Sequence, residues 1–157
     1  MTEKEAAERF WVFALELYGQ DAAREAFLRL QDRDGADVPM MLWCLWCGAE
    51  GQGISDEVMA EAIGFSAAWR EQTVGPLRTL RRALKPGILG VKTALSEAAR
   101  SKIATTEQAV ERLQMDHLAG LLSGTGAGGP RENMDRYARA ASLSLDADDV
   151  SVVLDLC

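Results

Sequence analysis

The chain has 157 residues and is 48% hydrophobic, which is enough to bury the core of one domain. Its 24 Asp and Glu exceed its 17 Lys and Arg, which gives a net charge of −7. This balance argues against a general nucleic-acid binder, because non-specific affinity requires phosphate neutralisation over a broad surface. No run of about 20 apolar residues predicts a membrane span, and the mixed charges of the opening MTEKEAAERF do not resemble a signal peptide, so we expect a cytoplasmic protein with no membrane partner.

Helical periodicity dominates the first part of the chain. A first helix is predicted over residues 3–18, where apolar residues recur at spacings of three and four. Gly19 is placed to end this helix in a left-handed conformation. Asp21 is then placed to cap a second helix, and Asp37 to cap a third. The sequence thus predicts three helices before residue 48.

The third of these helices has the most distinctive composition. Residues 38–47, VPMMLWCLWC, are apolar on every side, and such a helix is normally surrounded by the other helices of its bundle. Acidic residues after Ser55 predict the start of a fourth helix, because negative charge suits the positive end of the helix dipole. Gly75 and Pro76 are expected to break or kink the chain after it.

The remaining chain is predicted to contain a basic helix, a long helix and a separate C-terminal part. The long helix covers about residues 91–122, and we expect its buried side at Leu95, Ala98, Ala99, Ile103, Val110, Leu113 and Leu118. The Gly-rich stretch 123–130 is typical of a linker. Residues 131–141 predict a short amphipathic helix, whereas the pattern of the final tail does not distinguish helix, strand and disorder.

Together these elements predict an all-α fold, a single-domain irregular bundle of about six to seven helices around the buried helix 38–47. The predicted organisation is a helical core domain over residues 1–122, the linker 123–130, and a short helix with an acidic-apolar tail over 131–157. The odd number of cysteines predicts reduced thiols rather than a disulfide framework, in keeping with a cytoplasmic location.

Three blocks of the sequence resemble a known family. The first is FALELY at residues 13–18 (FAL-x-LY), the second is LQDRDGADV at residues 30–38 (LQ-x3-GADV), and the third joins Trp69-Arg70 to PLRTLRRALK at residues 76–85. These blocks are similar to those of a family of small proteobacterial proteins classified as a domain of unknown function. The resemblance covers roughly residues 10–122. It implies an intact fold and a bacterial cytoplasmic setting, and it supplies no activity and no catalytic residues.

The histidine and the cysteines do not form a reactive pattern. His117 is the only histidine, and the residue three positions before it is Gln114, whereas di-iron bundles need two Glu-x-x-His pairs. We therefore interpret His117 as a solvated residue on a helix surface. Cys44 and Cys47 have C-x-x-C spacing inside an apolar run, without a second thiol pair for zinc or a flanking βαβ pattern. Core packing is the preferred interpretation, and a redox or metal role is the alternative.

Three aspartates surround Gly35, namely Asp32, Asp34 and Asp37. They lack the ligand spacing and the closing Glu of a calcium loop. An isoprenoid-synthase-like metal site would require a second aspartate-rich motif, which the sequence does not contain. Helix termination and capping explain these residues, with a further role for Asp37 left open. The sequence predicts no metal, no cofactor and no catalytic residue.

A cluster of four cations is the most distinctive predicted surface: Arg78, Arg81, Arg82 and Lys85. We expect the leucines of the same helix (Leu77, Leu80 and Leu84) to pack inward and to leave the cations on a neighbouring face. Guanidinium groups bind carboxylates and phosphates bidentately, so the cluster suits an acidic partner. The alternative is a solvated face that pairs with the chain's own glutamates, and nucleic acid is the least favoured partner.

The tail is the second predicted surface. Val150, Val153 and Leu154 follow an acidic segment, and apolar residues in such a position can anchor a partner. Equally, the same residues can fold back and complete the core. The sequence leaves these two interpretations open.

The leading functional hypothesis is a non-enzymatic cytoplasmic interaction or adaptor protein. It would bind an unidentified protein partner through the basic helix, the tail or both, and a homodimer is a further possibility. The competing hypothesis is a small-molecule-binding helical protein or an enzyme, with a pocket lined by Asp37, Trp43, Trp46 and Trp69. Against it, tryptophans in a helical bundle can simply fill the core.

Overall fold

A computed structural model describes residues 1–121 and 126–157, and these residues form an all-α protein. The helices are α1 Glu3–Tyr18, α2 Asp21–Asp34, α3 Val38–Ala49, α4 Asp56–Trp69, α5 Gly75–Leu84, α6 Thr93–Gly120, α7 Pro130–Ala140 and α8 Ala147–Leu156. The described residues form no strand, and their β pairing consists of the isolated bridges Gln52–Ala127 and Ile88–Val91. The predicted helical class is confirmed. None of the helices in these two ranges is both long enough and apolar enough to cross a bilayer.

The ends of the first helices differ in detail from the sequence-based prediction. Gly19 ends α1 with a right-handed φ of −70°, so the predicted left-handed termination is wrong there, whereas Gly35 ends α2 at φ 75°. Gln20 occupies the N-cap of α2, and Asp21 is the first helical residue. Asp37 is the N-cap residue of α3 by position, but its side chain makes no capping hydrogen bond.

Of the break or kink predicted at Gly75-Pro76, the break does not occur. The helix continues from α4 into α5 through a π-helical turn, Arg70–Val74, in which the Gly75 N–H donates to the Arg70 carbonyl. Gly75 itself has right-handed helical angles. A π turn inserts one extra residue into the helix and so changes which carbonyl each N–H meets, which accommodates a proline that has no N–H to donate.

The structure divides into two compact units, the first formed by Met1–Gly64 with Met115–Cys157 and the second by Phe65–Gln114. Helix α3 lies at the centre of the first unit, where it contacts α1, α2 and α7. Every residue of α3 from Pro39 to Gly48 is buried, as its uniformly apolar sequence predicts. Phe10 of α1 stacks on Trp46 of α3 with the ring centroids 5.1 Å apart.

Helix α7 packs closely against α3 at a glycine. A Cβ atom at Gly48 would lie 2.2 Å from the Pro130 nitrogen, so no larger residue fits without moving one of the two helices. Part of the predicted linker, residues 123–125, lies outside the described residues. The described part runs beside the loop after α3, where the Gly53 N–H donates to the Gly126 carbonyl at 3.0 Å. Residues 126–157 thus share one compact unit with α1–α3.

Asn133 is the main polar group of this α3–α7 contact, and it is 1% exposed. Its Oδ1 accepts from the Ile54 N–H at 3.0 Å, and its Nδ2 donates to the carbonyls of Cys44 and Gln52 at 3.2 and 2.9 Å. These bonds satisfy the polar atoms of the buried Asn133 side chain and link α7 to α3 and to the loop that follows α3. The sequence analysis did not identify Asn133.

The tail forms helix α8, which packs on α2. Asp146 caps this helix by accepting from the N–H groups of Asp148 and Asp149 at 3.1 and 3.0 Å. The Asp149 carboxylate accepts from Arg29 at 2.8 Å and from Arg33 at 2.9 Å. Of the two conformations left open for these residues, folding back onto the core is the one that the structure adopts.

Candidate functional site

The second unit is basic, although the chain as a whole is acidic. Residues 65–114 contain nine Lys and Arg against four Glu, a net charge of +5. The rest of the chain contains the remaining eight Lys and Arg against 20 Asp and Glu, a net charge of −12. An acidic partner surface would therefore be attracted to the second unit despite the total charge of −7.

The second unit is an antiparallel pair of helices, here called the hairpin, in which α5 and the turn before it run against α6. At one end the Ser96 hydroxyl donates to the Leu84 carbonyl at 3.4 Å. Further along, Arg78 and Arg81 reach Glu107. At the other end, the Trp69 indole N–H donates to the Val110 carbonyl at 2.8 Å.

The seam between the two helices is polar. Glu107 is 6% exposed, and its carboxylate accepts from Arg78 Nε at 2.8 Å and from Arg81 Nε at 2.7 Å. Glu111 accepts from Arg70 and from Arg78, both at 3.3 Å. Burial alone would raise the pKa of Glu107, but hydrogen bonds from Arg81 and Arg78 outweigh it and hold the pKa below its ordinary value. A charged network therefore joins the two helices.

The predicted inward packing of the leucines is wrong for Leu80, which keeps 46% of its surface exposed, and α5 has no buried residue at all. Leu95 and Leu113 of α6, also predicted to be buried, are 73% and 53% exposed. Their neighbours Ser96 and Gln114 are buried instead, a rotation of about one residue around the helix. The physical reason is that the α5 arginines turn toward the α6 glutamates, which brings the polar faces together.

The four predicted cations have two different environments. Arg78 and Arg81 are half-buried in the seam, as the alternative interpretation of a face paired with glutamates describes. Arg82 and Lys85 are exposed, and neither forms an ion pair with any residue that the structure describes. These two remain available to an acidic partner.

The turn between α5 and α6 is a feature that sequence analysis missed. Ile88, Leu89 and Val91 are 37%, 97% and 47% exposed. The signal that could have revealed it is the pattern P-G-I-L-G-V at residues 86–91, in which three apolar residues lie among turn-forming Pro and Gly residues. The apolar surface of the hairpin therefore extends to its turn.

The other predicted site residues are less accessible. Val150 and Val153 are 8% and 0% exposed, and Leu154 is half-buried, so the tail presents no row of free apolar anchors.

The residues of the predicted pocket lie in different places. Trp43 and Trp46 are buried in the core of the first unit, whereas Trp69 belongs to the second. A shallow cleft of about 370 Å³ lies over Trp46 and is lined by Glu8, Arg9, Val12, Phe13, Glu16, Trp46 and Glu50. Asp37 does not line this cleft, and its backbone N–H donates to the Tyr137 hydroxyl at 2.9 Å.

The residues considered for metal or redox chemistry are dispersed. Among the described residues, no group of three or more His, Cys, Asp or Glu side chains could hold a metal ion. Cys44 and Cys47 are fully buried, and burial raises the pKa of both thiols. The Arg33 guanidinium lowers the pKa of Asp34 to about 2, with the Asp146 N–H as a second donor. His117 is exposed on α6.

The fold and this surface define a class: an all-α protein with one densely packed unit and one basic, polar-seamed hairpin. The chain belongs to the family described as protein of unknown function DUF2390, whose sequence model matches residues 9–118. Comparisons with curated proteins and with solved structures find no significant match. The matched residues include the whole hairpin and end before α7 and α8.

Proposed function

We propose that this protein is a non-enzymatic interaction protein, an adaptor that binds a partner protein through helix α5. One observation carries the proposal: α5 has an apolar face and a basic face, yet none of its residues is buried, and Leu80 is 46% exposed. An apolar helix face that adds little to its own core favours aggregation unless a partner covers it. A bacterial cytoplasmic setting is part of the same proposal, and it rests on the resemblance of the three sequence blocks alone.

The spacing on α5 indicates the kind of partner. Leu77, Leu80 and Leu84 lie at positions i, i+3 and i+7, the spacing at which an amphipathic helix anchors itself in an apolar groove. Arg82 on this helix and Lys85 at its C-cap add exposed positive charge. We therefore expect a protein with an apolar groove and acidic residues around it. Two copies pairing hairpin to hairpin are disfavoured, because each hairpin carries a charge of +5.

The test compares two leucines with similar exposure. Leu80→Asp should reduce recovery of the partner by about tenfold or more in affinity capture from native extract, because it places a charge in the centre of the docking face. The melting temperature should stay unchanged, since Leu80 is half-exposed. The matched control is Leu15→Asp on α1, where Leu15 is 54% exposed in the other unit. Equal recovery of the same partner by Leu80→Asp and wild type would contradict the proposal.

A further inference from the structure

The turn that joins α5 to α6 holds a leucine where its backbone conformation is unfavourable. The Val91 N–H donates to the Ile88 carbonyl at 2.9 Å, and both central residues have positive φ, Leu89 at 51° and Gly90 at 77°. Two central residues at positive φ are the pattern of a type I′ turn, for which Asn-Gly is the preferred sequence. A leucine here strains the backbone, because its Cβ approaches the following carbonyl oxygen.

The same leucine is almost completely exposed, at 97%. Its side chain is not buried in its own unit. No packing contact therefore offsets the backbone strain or the unfavourable hydration of its apolar surface. Ile88, Val91 and Leu95 nearby are also exposed, at 37%, 47% and 73%. Four exposed aliphatic residues within eight positions form one apolar end of the hairpin, here called the apex, residues 85–95.

Within the apex, positive charge flanks the exposed turn on both sides. Lys85 precedes the exposed turn and Lys92 follows it, and no acidic residue lies between Glu71 and Glu97 in the sequence. Lys85 and Lys92 are exposed, and neither pairs with an acidic side chain in the part of the chain that the structure describes. The apex therefore combines apolar side chains with uncompensated cations.

We propose that the apex binds the surface of an anionic membrane, with Leu89 and its aliphatic neighbours inserted at the level of the headgroups and the lysines against the lipid phosphates. A protruding, fully exposed aliphatic side chain fits a fluid acyl layer, which needs no complementary pocket. The charged residues of the apex are all basic, so the negative surface potential of anionic lipids attracts them. A second copy is a poor occupant, because the two surfaces would carry the same charge.

This inference goes beyond the proposed function and is tested at a different residue, Leu89 rather than Leu80, although Lys85 contributes positive charge to both surfaces. Helix α5 would hold a protein partner, and the apex would attach that assembly to a membrane. It also departs from the sequence-based expectation of no membrane partner, which considered only the absence of an apolar span. Binding is expected to be reversible, because a short apolar tip is a weak anchor that needs the second, electrostatic signal.

The experiment is co-sedimentation of the full chain with vesicles of phosphatidylcholine alone and with an equal mixture of phosphatidylcholine and phosphatidylglycerol. Wild type should sediment with the mixed vesicles only, and added salt should release it. Lys85→Gln and Lys92→Gln should each lower partitioning about fivefold. Leu89→Asn should lower it about tenfold or more while retaining every charge.

Leu89→Asn also keeps the variant folded, because asparagine accepts positive φ and restores the preferred Asn-Gly pair. Its melting temperature should equal or exceed that of wild type. Leu15→Asn on α1 is the matched control and should sediment like wild type. Failure of wild type to bind the mixed vesicles, equal binding to phosphatidylcholine alone, or unchanged binding by Leu89→Asn would each overturn the inference. None of these results would affect partner capture through Leu80, so the two proposals fail separately.

Discussion

Individual residues in this protein take their properties from the side chains around them more than from their local sequence motif. Cys44 and Cys47 have the spacing of a redox pair, but both are 0% exposed within α3. Burial disfavours the thiolate, which is the reactive form, and so it raises the pKa of both groups. Cys157, at the end of α8, is exposed. The environment thus separates two inert thiols from one accessible thiol.

This separation predicts the outcome of thiol titration. With an aromatic disulfide reagent, we expect one thiol, that of Cys157, to react in the native protein and all three to react after unfolding. Cys157→Ser should leave no fast-reacting thiol. Rapid native reaction of Cys44 or Cys47 would contradict the core-packing interpretation and favour a redox role.

At the scale of the helix, the hairpin has an unusual source of stability. Its seam consists of Glu107 and Glu111 paired with three arginines. Almost no apolar core supports it, because Val74, at 1% exposed, is the one buried apolar residue of Phe65–Gln114. Removing one partner of such a network leaves the others poorly solvated and unpaired. We therefore expect ionised Glu107 to stabilise the association of the two helices.

Glu107→Gln should lower the free energy of unfolding by about 2 kcal/mol at neutral pH, because Arg78 and Arg81 lose their charged acceptor. The pKa of Glu107 is lower in the folded state than in the unfolded state, so its contribution is complete above the ordinary carboxyl pKa of 4.5. That contribution is lost as the pH falls through the lower, folded-state pKa. Urea unfolding followed by circular dichroism at neutral and acidic pH measures both effects.

Glu97→Gln serves as the control for this series. Glu97 pairs with Arg100 on the exposed surface of the same helix at 2.7 Å, and exposed pairs contribute little to stability. This variant should unfold almost like wild type at neutral pH. A Glu107→Gln variant as stable as Glu97→Gln, or with the same pH dependence as wild type, would show that the seam does not depend on the carboxylate.

At the scale of the whole molecule, the C-terminal segment completes the core of the first unit. Helix α7 covers α3 and closes onto Gly48, while α8 covers α2 and is bound through Asp149. Both helices follow the residues that the family model matches, which end at Leu118. In this chain, the core around α1–α3 therefore includes residues outside the shared family region.

Truncation tests this dependence. A chain that ends at Leu121 should lose most of the roughly 5–15 kcal/mol typical of a folded domain, because α3 would expose an apolar face and the partners of Asn133 would lose their hydrogen bonds. A chain that lacks only α8 should be less severely affected. Cooperative thermal unfolding and resistance to protease report the result. A truncated chain that melts like the full-length protein would contradict the role assigned to α7 and α8.

Local sequence signals were sufficient for the class of the fold, the family and the burial of α3. A segment that is apolar on every side has no polar face to present to water, so its central position follows from composition alone. Most helix bounds also follow from local signals, with small differences at their ends. Of the break or kink expected at Gly75-Pro76, the break did not occur, because a π turn accommodates the proline.

Tertiary contacts decided which faces of the helices meet. The pattern of α5 is compatible with leucines or arginines facing inward, and the choice depended on glutamates about 26–33 residues later in the chain. Helix α8 likewise buries Val150 and Val153 in the core, and its Asp149 pairs with Arg29 and Arg33, which are 120 and 116 residues away in the sequence. Periodicity reports that a helix has two faces, but contacts with residues distant in the sequence determine which face is covered.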